Sequence, residues 1–349
     1  MKRLIALLLA LTVCLGLLAA CGKTEPQNED PKVEDDGVMK ILLIGHSTGV
    51  DSAYMLPAIA KNEGVENLVV GMLYHSGCRL GQHVEYLQSN AKQYAYYELD
   101  IATQDRWYRA DASGNFIQCE PDAKNDIYIE DGSIAQTMQF GISRHDWDIV
   151  VMQAGIWEST NNPDGGYNPN FDEYIKTIQD YVLANDVEPG TAPKFAWNMI
   201  WGTPDDASMM SDSYVKNLQD YFSGDSLAAY NAICDVAQTI IKPEESFDYF
   251  MPSATVLRNM QAQGMTSQEI YRDTIHGTDF TRVAVGYLWY CTLLGGNMDS
   301  CKLDAIPSAF LLDPLMRNTG KNLEFTAEQK TIIVNAVKNA LANPYAITE

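Results

Sequence analysis

Five short apolar runs, at residues 39–44, 67–73, 148–152, 194–199 and 248–251, alternate along this chain with segments whose apolar residues recur at helical spacing. No other feature restricts the fold as strongly, because a continuous apolar run of this length suits a strand buried on both faces. The helical segments follow the runs in order. Met55, Leu56, Ile59 and Ala60 predict a helix capped by Asp51 or Ser52 and stopped at Asn62 and Gly64. Further helices are expected over 171–183, 226–241 and 327–341. Strand and helix in alternation imply a three-layer, doubly wound α/β fold, with about five parallel strands covered by helices on both faces. Residues 104–132 break the rhythm: WYRADASGNFIQ predicts a β-hairpin and NDIYIEDGS a further strand, so this stretch reads as a small β insertion beside the sheet.

Ahead of this domain, which the pattern places at 38–349, stand two segments of different character. Residues 1–20 carry Lys2 and Arg3, then an apolar run over 4–18, which is shorter than the roughly 20 residues of a membrane span. The run ends in Leu18-Ala19-Ala20-Cys21, the bacterial lipobox pattern, so Cys21 is the expected lipidation site and the new N-terminus. Residues 21–37 are acidic, hold two prolines and almost nothing apolar, and read as a flexible linker from the lipidated cysteine. A lipid-anchored protein at the bacterial cell surface or in the periplasm is the expectation.

The formal charge of −22 disfavours nucleic acid as a partner, since polyanions are repelled. Of the seven cysteines, five fall in the folded part, an odd number that excludes complete internal pairing. His75, Cys78 and His83 lack a fourth ligand at recognisable spacing, so neither a metal nor another cofactor is expected. Oligomeric state is not legible.

Two short motifs carry chemistry. Gly45-His46-Ser47-Thr48-Gly49 sets a serine in a glycine-flanked turn between the first strand and its helix. There a hydroxyl is exposed and a backbone N–H can face a developing oxyanion, although a serine so placed can equally cap the helix. The same pattern marks the α/β-hydrolase elbow, but in that fold several strands precede it, whereas here Ser47 follows the first. Near the other end, Asp273-Thr274-Ile275-His276 puts an acid and a histidine three residues apart. A serine is a weak nucleophile until an imidazole takes its proton, and the imidazole needs an acid to fix its tautomer.

These blocks together resemble the SGNH, or GDSL-like, hydrolases, and in particular a branch catalogued as a domain of unknown function. GHST at 45–48 matches the serine block, SGC at 76–78 the glycine block, and DTIH at 273–276 the last block. WDIVVMQAG at 147–155 occupies the third, with Gln153 where many members have asparagine; His46 also replaces the asparagine usual in that branch. The resemblance implies a flavodoxin-like sheet, a Ser47 nucleophile, His276 as base then acid, and Asp273 as its partner. An oxyanion hole would form from the N–H groups of Ser47 and Gly77 and the amide of Gln153. Apart from the resemblance, Trp157 and Trp201 follow predicted strand ends on the side of the site, where they could stack on sugar rings or simply pack in the core, and with His46 they are candidates for the substrate site. The activity implied is ester hydrolysis through an acyl-enzyme, with carbohydrate O-deacetylation preferred. The competing reading is a non-catalytic glycan- or solute-binding lipoprotein on the same fold.

Overall fold

The computed structural model describes residues 37–119, 135–162, 168–185, 192–243, 245–306 and 323–348. The leader, Cys21, the linker up to residue 36 and the strand expected over 125–133 lie outside them. Residues 38–349 gather into one compact unit. Its main sheet holds β1 (Met39–Gly45), β2 (Leu68–Tyr74), β3 (Tyr94–Asp100), β4 (Tyr108–Ala110), β5 (Phe116–Gln118), β6 (Ala135–Gln136), β7 (Ile149–Met152), β8 (Lys194–Asn198) and β9 (Tyr249–Met251).

The five apolar runs are the five parallel strands, in the order β2-β1-β7-β8-β9. Ile41, Leu42, Leu43 and Ile44 of the central strand β1 are all buried, each worth about 1.5–3 kcal/mol relative to exposure. The sheet is wider than the sequence suggested. β3 adds antiparallel to β2, the β4–β5 hairpin adds to β3, and β6 also pairs with β3. The predicted hairpin therefore forms, but it extends the sheet edge through a strand the sequence reading did not contain.

The first helices, α1 (Ser47–Ala53) and α2 (Leu56–Glu63), follow β1 directly. Helix α1 starts at Ser47 rather than at a cap on Asp51 or Ser52: His46 is the extended N-cap residue, and Val50 N–H closes the first turn on His46 O at 3.1 Å. Helices α3 (Leu80–Ser89), α4 (Met138–Ile142) and α5 (Phe171–Ala184) form a second group in mutual contact. After β8 come α6 (Asp212–Phe222) and α7 (Ser226–Val236), and after β9 come α8 (Ser253–Ala262), α9 (Ser267–Ile270), α10 (Asp279–Leu293) and α11 (Ala327–Ala342). Helices α8, α10 and α11 join the α1–α2 group. The chain moves from β1 to β2 and then back across β1 to β7. Right-handed crossovers consequently place the two helix groups on opposite faces. The reversal leaves a crevice at the carboxyl ends of β1 and β7, the place where open α/β sheets bind ligands. Among the described residues no helix is long and apolar enough to cross a membrane.

Candidate active site

Ser47 stands at that crevice because β1 ends at Gly45 and α1 begins two residues later. Its Oγ lies 2.8 Å from His276 Nε2, and His276 Nδ1 lies 2.9 Å from both carboxylate oxygens of Asp273. The three residues span most of the chain and meet through one loop. Tyr271 and Gly277 form an isolated antiparallel bridge, and Arg272 N–H donates to His276 O at 2.9 Å, closing the turn between them. Inside the turn, Asp273 Oδ1 also accepts the N–H groups of Ile275 (3.1 Å) and His276 (3.0 Å). One carboxylate thus caps the loop and holds the ring, which is why an acid three residues ahead of a histidine suffices. Partial burial works to raise the Asp273 carboxyl, but hydrogen bonds from the His276 ring and backbone and from Ile275 outweigh it and hold it well below the usual carboxylate range. An ionised Asp273 can only accept, so His276 carries its proton on Nδ1 and, when neutral, presents the Nε2 lone pair to the Ser47 hydroxyl.

The sequence reading missed the residue that ties serine and histidine elements together. Asp51, one turn along α1 from Ser47, is 2% exposed and accepts from Gly277 N–H at 2.9 Å and from Arg282 Nε and Nη2 at 2.8 and 2.7 Å. Arg272 Nη2 lies 3.5 Å from the same carboxylate, and its Nε lies 3.6 Å from Asp273 Oδ2. A buried, multiply bonded ion pair of this kind fixes geometry, since removing one partner strands the other charge.

Gln153 takes a different place from the one expected. Its side chain is buried beneath the serine turn and does not line the cavity over Ser47. His46 Nε2 faces the Ala154 carbonyl at 3.1 Å, which can only accept, so His46 Nδ1 accepts from the Thr48 hydroxyl and Gln153 Nε2 donates in turn to Thr48 Oγ1. One of the two amide N–H donors is thus committed to Thr48 inside the turn. A Cβ at Gly49 would overlap Gln153 Oε1, so a larger residue there would displace that amide. His46, 3% exposed, is held neutral at ordinary pH: burial chiefly lowers its pKa to about 4, against the Ala154 hydrogen bond.

The cavity above Ser47 measures about 500 Å³ and includes His46, Gly77 and Trp157 among its lining residues. Gly77 has φ +61°, a backbone conformation that favours glycine. Trp201 does not reach the cavity. It is buried, and its Nε1–H donates to Ile275 O at 2.6 Å, bracing the Asp-His loop from behind. His75 and His83 do not line it either; they bond to Gln93 O and the Tyr94 hydroxyl. Among the described residues Cys78, Cys234, Cys291 and Cys301 form no disulfide, and Cys78, Cys119 and Cys234 are buried.

No family profile matches the chain, and no curated protein does. Among solved structures, the crystal structure of a DUF4886 family protein from Bacteroides uniformis superposes with a TM-score of 0.62 at 17% identity, covering 89% of this chain and 98% of that one. A candidate SGNH hydrolase from Slackia heliotrinireducens gives a TM-score of 0.40 at 14% identity, covering 73% of this chain and 99% of that one. The chain shares the α/β fold of the first of these.

Proposed function

We propose that this protein is a serine ester hydrolase of the SGNH type. The observation that carries the reading is the unbroken path from Ser47 Oγ through the His276 ring to Asp273 on an open cavity. In the first step Ser47 Oγ attacks the ester carbonyl carbon while His276 Nε2 takes the hydroxyl proton; collapse of the adduct expels the alcohol, which leaves with that proton. Water then attacks the acyl-serine, again through His276, and releases the acid. Asp273 stabilises the imidazolium without taking its proton. The N–H groups of Ser47 and Gly77 are the oxyanion donors in this scheme, and Gln153 is not one of them.

The substrate class is a carbohydrate O-acetyl ester, met outside the membrane by a protein tethered through lipid on Cys21. The lipobox supports the location, and Arg79, Glu158 and Asn217 in the cavity lining support a hydroxylated substrate over a lipid. The test is hydrolysis of p-nitrophenyl acetate by wild type, Ser47→Ala and His276→Ala. Activity in wild type and its loss in both variants are expected; an inert wild type, or a Ser47→Ala variant as active as wild type, contradicts the scheme and points to a binding protein on this fold.

A further inference from the structure

The Ser47 cavity is far larger than an acetyl group needs, and its lining is specific in kind. Helix α6 places Tyr214, Asn217 and Tyr221 on the cavity at intervals of three and four, one face of a helix, and the Trp157 ring packs against Tyr214 and Tyr221 at centroid distances of 5.6 and 6.0 Å. This makes an aromatic wall. The same lining holds three polar side chains whose hydrogen-bonding capacity is not used up.

Glu158, 4% exposed, lines the cavity with Oε1 fixed by the N–H groups of Gly155 (2.8 Å) and Leu80 (2.9 Å), and among the described residues its Oε2 has no hydrogen-bond partner. Burial raises its pKa, against those two backbone bonds and the nearby Arg79 charge. Asn217 bonds to no described residue through either end of its amide, and the Arg79 guanidinium forms no ion pair there. With no partner among the described residues, Glu158 Oε2 opens to the cavity, and filling that cavity with an alkyl chain would strand all three groups at once. A ring that offers hydroxyls to an acceptor, an amide and a guanidinium, and C–H faces to the aromatic rings, satisfies every one of them.

We infer that this wall is a saccharide subsite that holds the alcohol half of the ester, with Glu158, Asn217 and Arg79 bonding its hydroxyls and Trp157, Tyr214 and Tyr221 carrying its ring. The inference rests on the esterase reading for the position of the ester bond. It assigns selectivity to the alcohol rather than to the acyl group.

The experiment compares two acetate esters with the full-length protein, 6-O-acetylglucose and ethyl acetate, so that only the alcohol differs. Asn217→Ala and Tyr221→Ala, on the exposed helix α6 and checked by melting, are each expected to lower the ratio of kcat/KM for the sugar acetate over ethyl acetate about tenfold, while Ser47→Ala abolishes both reactions. A ratio unchanged within about twofold, or a wild-type preference for dodecyl acetate over the sugar ester, overturns the subsite. A wild type inert on all these esters removes the esterase reading. Calorimetric titration of Ser47→Ala with 6-O-acetylglucose then decides: binding that Asn217→Ala weakens about tenfold sustains the subsite, and no binding overturns it.

Discussion

The two sides of the Ser47 cavity are built on opposite terms. On the serine side Ser47, His276 and Asp273 bond to one another, and Asp51 beneath them gathers Gly277 N–H and Arg282. On the α6 side Glu158 Oε2, Asn217 and Arg79 are left with capacity to bond. A region whose polar groups satisfy one another is set before any ligand arrives, as electrostatic catalysis requires. One with vacant donors and acceptors gains most when a ligand fills it. The contrast separates the residues that would make the reaction from those that would choose its substrate.

The comparison predicts effects of very different size. Ser47→Ala should reduce kcat/KM for p-nitrophenyl acetate by roughly four to six orders of magnitude with an unchanged melting midpoint, read by steady-state kinetics beside calorimetry. A residual rate near wild type would mean that the bonded side is structural only. Next in size is Asp51→Ala, which leaves Arg282 buried without its main partner and should cost about 3–5 kcal/mol in urea unfolding. If stability instead changes by less than about 1 kcal/mol, the serine side is not held as described.

How much of this was legible in the sequence follows from what each feature depends on. The five parallel strands could be read because strands buried on both faces need unbroken apolar runs, and the Ser47 and Asp-x-x-His blocks because their geometry is made within a few residues. β3 could not, since Glu98 interrupts its pattern and is buried only because Tyr96, 2.6 Å away, and His145, 2.9 Å away, satisfy it. In sequence Asp51 resembles a helix cap, because its partners, Gly277 and Arg282, lie 226 and 231 residues further on. Helix α6 buries only Leu218, so its apolar signal was faint and its cavity face looked like ordinary surface. Gln153 illustrates the same limit from the other direction: its position in the block was right, and its direction was set by Thr48 and Gly49.

A smaller effect comes with acid. Burial, chiefly, holds His46 at about 4 and His83 at about 3, below the unfolded value. The unfolded chain therefore binds the extra protons, and stability is full above about pH 6.5 and falls on acidification. Each histidine should account for about 2 kcal/mol of loss by pH 5. Asp273, with its depressed pKa, stays ionised there and keeps its contribution until lower pH. Urea midpoints at pH 7.5 and 5 should show this, and His83→Leu should shrink the difference; a difference unaltered by that change removes His83 from the account.

The smallest effect is expected at Gln153. Its amide bonds to Thr48 and lies outside the cavity lining, so Gln153→Leu should alter kcat less than tenfold, whereas loss of a working oxyanion donor costs about 10²–10³. A fall of that larger size would place the amide on the reaction after all and redraw the serine side.

The central claim is that His276 and Asp273 make Ser47 a nucleophile, and a fluorophosphonate probe reads this directly by intact mass and peptide mapping. The account predicts one adduct per chain, on Ser47, formed rapidly in wild type and at least a hundredfold more slowly in His276→Ala, where the general base is gone. An unmodified wild type, or labelling at the same rate without His276, would contradict it.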